Sequence, residues 1–134
     1  TQGKSEWVVN EQNRTTAHDN TGLCLFVGFG GAQIETFVPC AAAATGLDYT
    51  IDDFVKAGER TWNLEKLWNM KAGITAADDT LPKRLLKEGH KEGPSKGVTV
   101  DLPTMLPIYY QQRGWTANGE PTEEKLVELG LAAL

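Results

Sequence analysis

The sequence predicts an all-α domain of irregular helical architecture, and three observations carry that prediction. Apolar residues recur every three to four positions along most of the chain, the spacing of one helix face. Runs of this kind end at Gly46, Gly73, Gly89, Gly114 and Gly130, as helices commonly do. Alternating β-branched and aromatic stretches, which would mark strands, are almost absent. The 134 residues suit one domain, 1–134.

Taken in order, residues 5–16 form a polar segment with Trp7, Val8 and Val9 and no Gly or Pro, which predicts a helix with a weak apolar face. Residues 22–31 set four glycines among Leu23, Cys24, Leu25, Phe26, Val27 and Phe29, and so apolar a stretch is expected to lie buried against something. Ile34, Phe37, Val38, Ala41 and Ala42 then recur at helical spacing, with Pro39 either kinking that helix or falling in its first turn. The clearest helix covers 50–72. Thr50 is a natural N-cap, and Asp52 and Asp53 complement the helix dipole. Ile51, Phe54, Ala57, Thr61, Leu64 and Trp68 make one face, which Val55, Trp62 and Leu67 widen.

A shorter helix is expected after Thr80, with Pro82 in its first turn. Residues 89–97 read as a solvated loop, 87–96 as the candidate hinge, and 98–100 as a brief extended segment. Asp101 is expected to cap a helix whose apolar face is Leu102, Met105, Leu106 and Tyr109, interrupted by Pro107. A last helix is expected over 121–129, opened by Pro121.

The net charge of −5 argues against a nucleic-acid partner, which would require clustered Lys and Arg, and against an anionic membrane. No stretch reaches the ~20 apolar residues of a membrane span, and no signal peptide is visible. A cytoplasmic location is therefore expected. The chain begins at Thr1 rather than Met, which fits a fragment or a processed product. Cys24 and Cys40 match no disulfide framework or zinc spacing, and by residue type alone both read as buried apolar fillers.

Chemistry concentrates in the segment from His18 to Phe26. Asp19 offers two acceptor oxygens, suited to heterocycle N–H groups or to a metal. Gly22 permits a tight turn, and Cys24 offers a thiolate, the preferred ligand of iron–sulfur clusters. The plainer alternative makes Asp19 a helix cap and Cys24 a core filler.

The pattern Asp19-x-x-Gly22-Leu23-Cys24, followed by Phe26, resembles the second pterin-binding motif of tungsten-containing aldehyde:ferredoxin oxidoreductases. The likeness continues in order through Gly46-Leu47-Asp48, AGERTWNLEKL at 57–67, DDTLPKR at 78–84, YYQQRGW at 109–115, PTEEKL at 121–126 and Leu129-Gly130-Leu131. Pro107 departs from it, in a segment that the family keeps acidic and helical. The resemblance implies a C-terminal helical domain whose glycine-rich loop faces the cofactor. It also implies a tungsten (or molybdenum) bis-pterin and a 4Fe–4S cluster in the full-length enzyme, which oxidises aldehydes to carboxylic acids and passes electrons to ferredoxin. On this basis Asp19 would hydrogen-bond a pterin, Gly22, Leu23 and Leu25 would shape the backbone around it, and Cys24 would be the fourth cluster ligand. Catalytic residues are not assigned.

The first pterin motif and the other three cluster cysteines are absent from this sequence. The remaining N-terminal domains of the same enzyme are thus expected partners, and the isolated chain is expected to be inactive and to hold no stable cofactor. Two alternatives stand beside this reading: a standalone helical interaction module, and a relative acting on aryl-CoA thioesters. Among other residues, His18 is a candidate donor to a substrate or pterin oxygen, and His90 reads as solvated. Glu59 and Arg60 are expected to form a buried ion pair or to reach another domain, the structural role being favoured, and Asp78 and Asp79 to cap a helix rather than bind metal. Trp7, Trp62, Trp68 and Trp115 read as core or interface anchors.

Overall fold

The computed structural model describes residues 3–132. Helices α1 (Lys4–Asp19), α2 (Phe26–Phe29), α3 (Ile34–Thr45), α4 (Ile51–Lys71), α5 (Lys83–Lys87), α6 (Leu102–Arg113) and α7 (Glu123–Glu128) follow one another, with a 3-10 turn at Ala76–Asp78. Among the described residues the only β pairing is two isolated bridges, so the domain is all-α as expected.

Helix α1 is the hub, packing on α4, α6 and α3. It runs three residues beyond the expected end at Thr16, so that Asp19 is its last residue. Its partner α4 is the helix most legible in the sequence. Thr50 accepts from Asp53 N at 3.1 Å while Asp53 Oδ2 accepts from Thr50 N at 3.1 Å, a reciprocal capping box. The two helices approach unusually closely. A Cβ at Gly58 would overlap the Asn13 carbonyl and lie 2.7 Å from Ala17 N, so only glycine fits the crossing.

The apolar core gathers Ala17, Ile34, Phe37, Val38 and Phe54, with Tyr49 and Val55 against it. Burying each large member stabilises the fold by roughly 1.5–3 kcal/mol. Toward the C-terminus the interior is polar and aromatic. Tyr109 Oη accepts from Trp62 Nε1 at 3.0 Å and Arg113 Nε at 3.1 Å, and donates to Gln12 Oε1 at 2.9 Å. Fully buried Asn63 accepts from Trp115 Nε1 at 2.8 Å. Asp79 Oδ2 accepts from Lys66 Nζ at 2.8 Å and from Tyr110 Oη at 2.6 Å; burial, then this bond to Asp79, pushes the Tyr110 hydroxyl well above the usual phenol range.

Several local expectations are corrected. Asp101 makes no side-chain cap, and α6 starts instead with Pro103 in its first turn. Pro39 lies past the first turn of α3, which continues through it, while Pro107 is inside α6 as expected. Pro82 stands at the N-cap of α5, and Thr122, not Pro121, caps α7 by accepting from Lys125 N. Residues 98–100, expected as a brief extended segment, lie outside any helix or strand, and Val100 N donates to Leu85 O at 3.0 Å. Glu59 pairs with Lys125 at 3.2 Å rather than with Arg60, which is exposed and makes no ion pair among the described residues. Asp78 does cap, accepting from Thr75 N at 2.8 Å, while Asp79 is drawn to Lys66. Trp115 is buried and Trp62 half-buried, but Trp7 and Trp68 lie on the surface.

Candidate functional site

The DxxGLC segment is a turn laid across the C-terminal end of α1. Asn20 N continues the helical pattern to Thr16 O, and then Thr21 N donates to His18 O and Gly22 N to Asp19 O, both at 2.9 Å. Thr21 Oγ1 also donates to His18 O at 2.7 Å and accepts from Leu23 N at 3.3 Å. Gly22 sits at φ +77°, a left-handed conformation that strains residues with a Cβ. Among the described residues nothing outside its chain neighbours lies within 4 Å of where a Cβ would stand. Asn20 Nδ2 donates to Thr61 Oγ1 at 3.0 Å, tying the turn to α4. Asn20 and Thr21 carry no signal in the sequence beyond being polar, and Thr61 is legible only as part of a helix face.

The turn brings its reactive groups to the surface. Asp19, Gly22, Leu23 and Cys24 are all exposed, and Leu25 is half-buried. Cys24 is a free thiol, as is Cys40 on the outer side of α3, so neither is the buried filler that residue type suggested. The glycine-dense stretch after Cys24 also lies open. Phe26 and Phe29 are each 75% exposed and pack edge to face on one another, with centroids 5.6 Å apart. The expectation of burial fails within the described residues because Phe26 and Phe29 project outward from this one-turn helix, while Gly28 lies against the His18 ring on its inner side.

His18 is turned inward under this loop. Its ring is buried and stacks on Phe37 with centroids 4.4 Å apart and planes 19° from parallel. Its Nε2 has no hydrogen-bond partner among the described residues. Beside it a cleft of about 160 Å³ runs between α1 and α3, lined by Arg14, His18, Leu25, Phe29, Gln33 and Phe37. Asp19 thus faces solvent at the helix end while its neighbour supports the loop from beneath.

The chemistry of the donor set suits part of a larger centre. One exposed thiol and one carboxylate bracket a turn with open backbone, flanked by unpartnered apolar surface. Among the described residues no three His, Cys, Asp or Glu side chains group as a metal site. A single thiolate matches one ligand of an iron–sulfur cluster and leaves the others to come from elsewhere.

A model of the aldehyde ferredoxin oxidoreductase family, its domains 2 and 3, matches residues 1–131. The chain belongs to this family. It is 50% identical over 131 residues to a tungsten-containing aldehyde ferredoxin oxidoreductase of Pyrococcus furiosus, and 47% identical over 131 residues to that of Thermococcus kodakarensis. In each case the match covers 96% of this chain and 21% of the relative, so the chain spans about a fifth of the length of these proteins. Among solved structures it is similar to the active-site complex BamBC of benzoyl coenzyme A reductase with 1,5-dienoyl-CoA, at a TM-score of 0.61 and 27% identity. That likeness covers 75% of this chain and 14% of the other.

Among the described residues, no helix is long and apolar enough to cross a membrane.

Proposed function

We propose that this chain is a C-terminal helical domain, residues 1–134, that forms one wall of the cofactor site in an oxidoreductase converting aldehydes to carboxylic acids with ferredoxin as acceptor. The observation that carries this reading is the DxxGLC turn, with the Asp19 carboxylate and the Cys24 thiol both open, in a chain half identical to tungsten-containing aldehyde ferredoxin oxidoreductases. The overall reaction takes an aldehyde and water to a carboxylic acid, two protons and two electrons. Tungsten, or molybdenum, held by two dithiolene pterins supplies the two-electron oxidation when bound, and a 4Fe–4S cluster relays the electrons singly to ferredoxin.

The chain's own residues hold and shield. Asp19, at the end of a rigid helix, accepts hydrogen bonds from the N–H groups of a pterin ring. Gly22 sets the turn, and Leu23 and Leu25 shape the surface that follows it. Cys24 contributes one thiolate, the other three coming from the remaining N-terminal domains of the enzyme. Those domains cover Leu23, Phe26 and Phe29 and keep water from the site, where a low dielectric strengthens every charge interaction. A ferredoxin acceptor suits a cytoplasmic enzyme.

The test is Cys24→Ser in the full-length enzyme: iron content and the cluster's EPR signal fall, and ferredoxin reduction stops. Unchanged iron and unchanged turnover would overturn the assignment. Asp19→Ala is expected to lower tungsten loading, and full loading would count against its role. The likeness to the benzoyl coenzyme A reductase complex favours a second reading, action on aryl-CoA thioesters. The roughly twofold higher identity to aldehyde oxidoreductases weighs against it. Turnover of a benzoyl-CoA-type substrate with none of simple aldehydes would reverse that ranking.

A further inference from the structure

Arg113, the last residue of α6, is 0% exposed. Its Nη1 donates to Asn13 Oδ1, its Nη2 to Gln12 Oε1 at 2.7 Å and its Nε to Tyr109 Oη at 3.1 Å. The guanidinium carbon lies 5.3 Å from the Trp62 ring centroid and 5.4 Å from that of Tyr109. Every one of these partners is neutral. Among the described residues no carboxylate pairs with Arg113, and the inward-facing Asp79 and Glu59 are engaged by Lys66 and Lys125. With no surface of its own, the guanidinium cannot be reached by an outside segment unless its neighbours unpack.

A buried cation without a counter-charge is unusual, because desolvation is normally offset by an opposite charge. A mechanical tie between α6 and α1 does not explain it. A carboxylate at position 12 or 13 would grip the guanidinium more strongly than an amide does. Both positions carry the carboxamide form of that side chain instead, which keeps the tie and leaves the charge uncancelled. The same helix that receives Arg113 carries the site: Asn13 precedes Asp19 by six residues, about 9 Å along the axis.

We propose that Arg113 is an uncompensated buried cation whose field raises the reduction potential of the iron–sulfur cluster bound at Cys24. The proposal rests on the assignment of Cys24 as a cluster ligand. Reduction adds negative charge to the cluster, and a positive charge kept out of water by the packing of α1, α4 and α6 favours the reduced form. Exposed ions of either sign are screened by water and salt and act much less.

The test is an EPR-monitored redox titration of the full-length holoenzyme. Gln12→Glu and Asn13→Asp each place a carboxylate against the guanidinium with almost no change of shape. Both are expected to move the cluster midpoint to lower potential while iron content and Tm are retained. Glu11→Gln, a charge change on the exposed side of the same helix, is expected to leave the midpoint in place. A midpoint unmoved in both carboxylate variants, with iron retained, reduces Arg113 to a mechanical tie and overturns the proposal. So does a shift of the same size in Glu11→Gln, or loss of the fold in both carboxylate variants, since the proposal requires that the pocket accept a carboxylate. Failure of the Cys24 assignment is read separately, from iron content in Cys24→Ser.

Discussion

Gly58 of α4 lies directly against the Asn13 carbonyl of α1, so that a single added methyl group would overlap the neighbouring backbone. Helix propensity alone would make Gly58→Ala favourable by about 1 kcal/mol. Overpacking against backbone opposes it, at about 3 kcal/mol or more where nothing flexible can yield. Gly58→Ala is therefore expected to lower the midpoint of urea unfolding, and a raised midpoint would mean that the helices separate more easily than the geometry implies.

The Tyr109 hydroxyl gathers three helices at one oxygen, taking hydrogen bonds from Trp62 of α4 and Arg113 of α6 and giving one to Gln12 of α1. Tyr109→Phe strands two donors while removing almost no volume. Each stranded donor costs about 1–3 kcal/mol if water cannot reach it. A variant as stable as the parent in denaturant titration would show that water enters this interior.

The α4 cap should make stability depend on acid. Hydrogen bonds from the Thr50 side chain, then from the Thr50 backbone, hold the Asp53 carboxyl below its ordinary value of 3.8. A folded-state value below the unfolded one adds stability above pH 3.8, and that stability is lost as pH falls through the lowered value. Asp53→Asn is thus expected to reduce Tm at pH 7, with the difference from the parent closing below the ordinary Asp range. A difference that stayed constant down to pH 2 would indicate a cap acting by shape and not by charge.

Purified alone, the 134-residue chain is expected to contain no stoichiometric iron, because a 4Fe–4S cluster needs more thiolates than Cys24 supplies. Elemental analysis after anaerobic reconstitution decides this. Iron near four atoms per chain would mean that the cluster is held in some other way.

The parts of the fold legible in the sequence were those fixed by local chemistry. The Thr50 cap and the stops at Gly46 and Gly114 follow from residue types at adjacent positions, and the structure has them there. Features set by distant partners were not legible. Asp101 looked like a cap but makes no cap bond, Glu59 found Lys125 rather than adjacent Arg60, and Arg113 met Gln12 and Asn13 a hundred residues away. The motif turn was visible because Asp19, Gly22 and Cys24 are chemically distinctive. Its exposure was not, because Leu23, Phe26 and Phe29 read as core whether their partner lies within these residues or beyond them.

The turn after α1 closes on itself. Its bonds from Thr21 and Gly22 to the carbonyls of His18 and Asp19 use no group that a cofactor would have to provide. On the proposed role of this turn, an order of assembly is expected in which the receiving surface forms first and loading is a late insertion into a prepared mould. Hydrogen exchange at Thr21 and Gly22 should accordingly be as slow in cofactor-free enzyme as in the loaded form, while exchange around Phe26 and Phe29 slows only when the covering domains close.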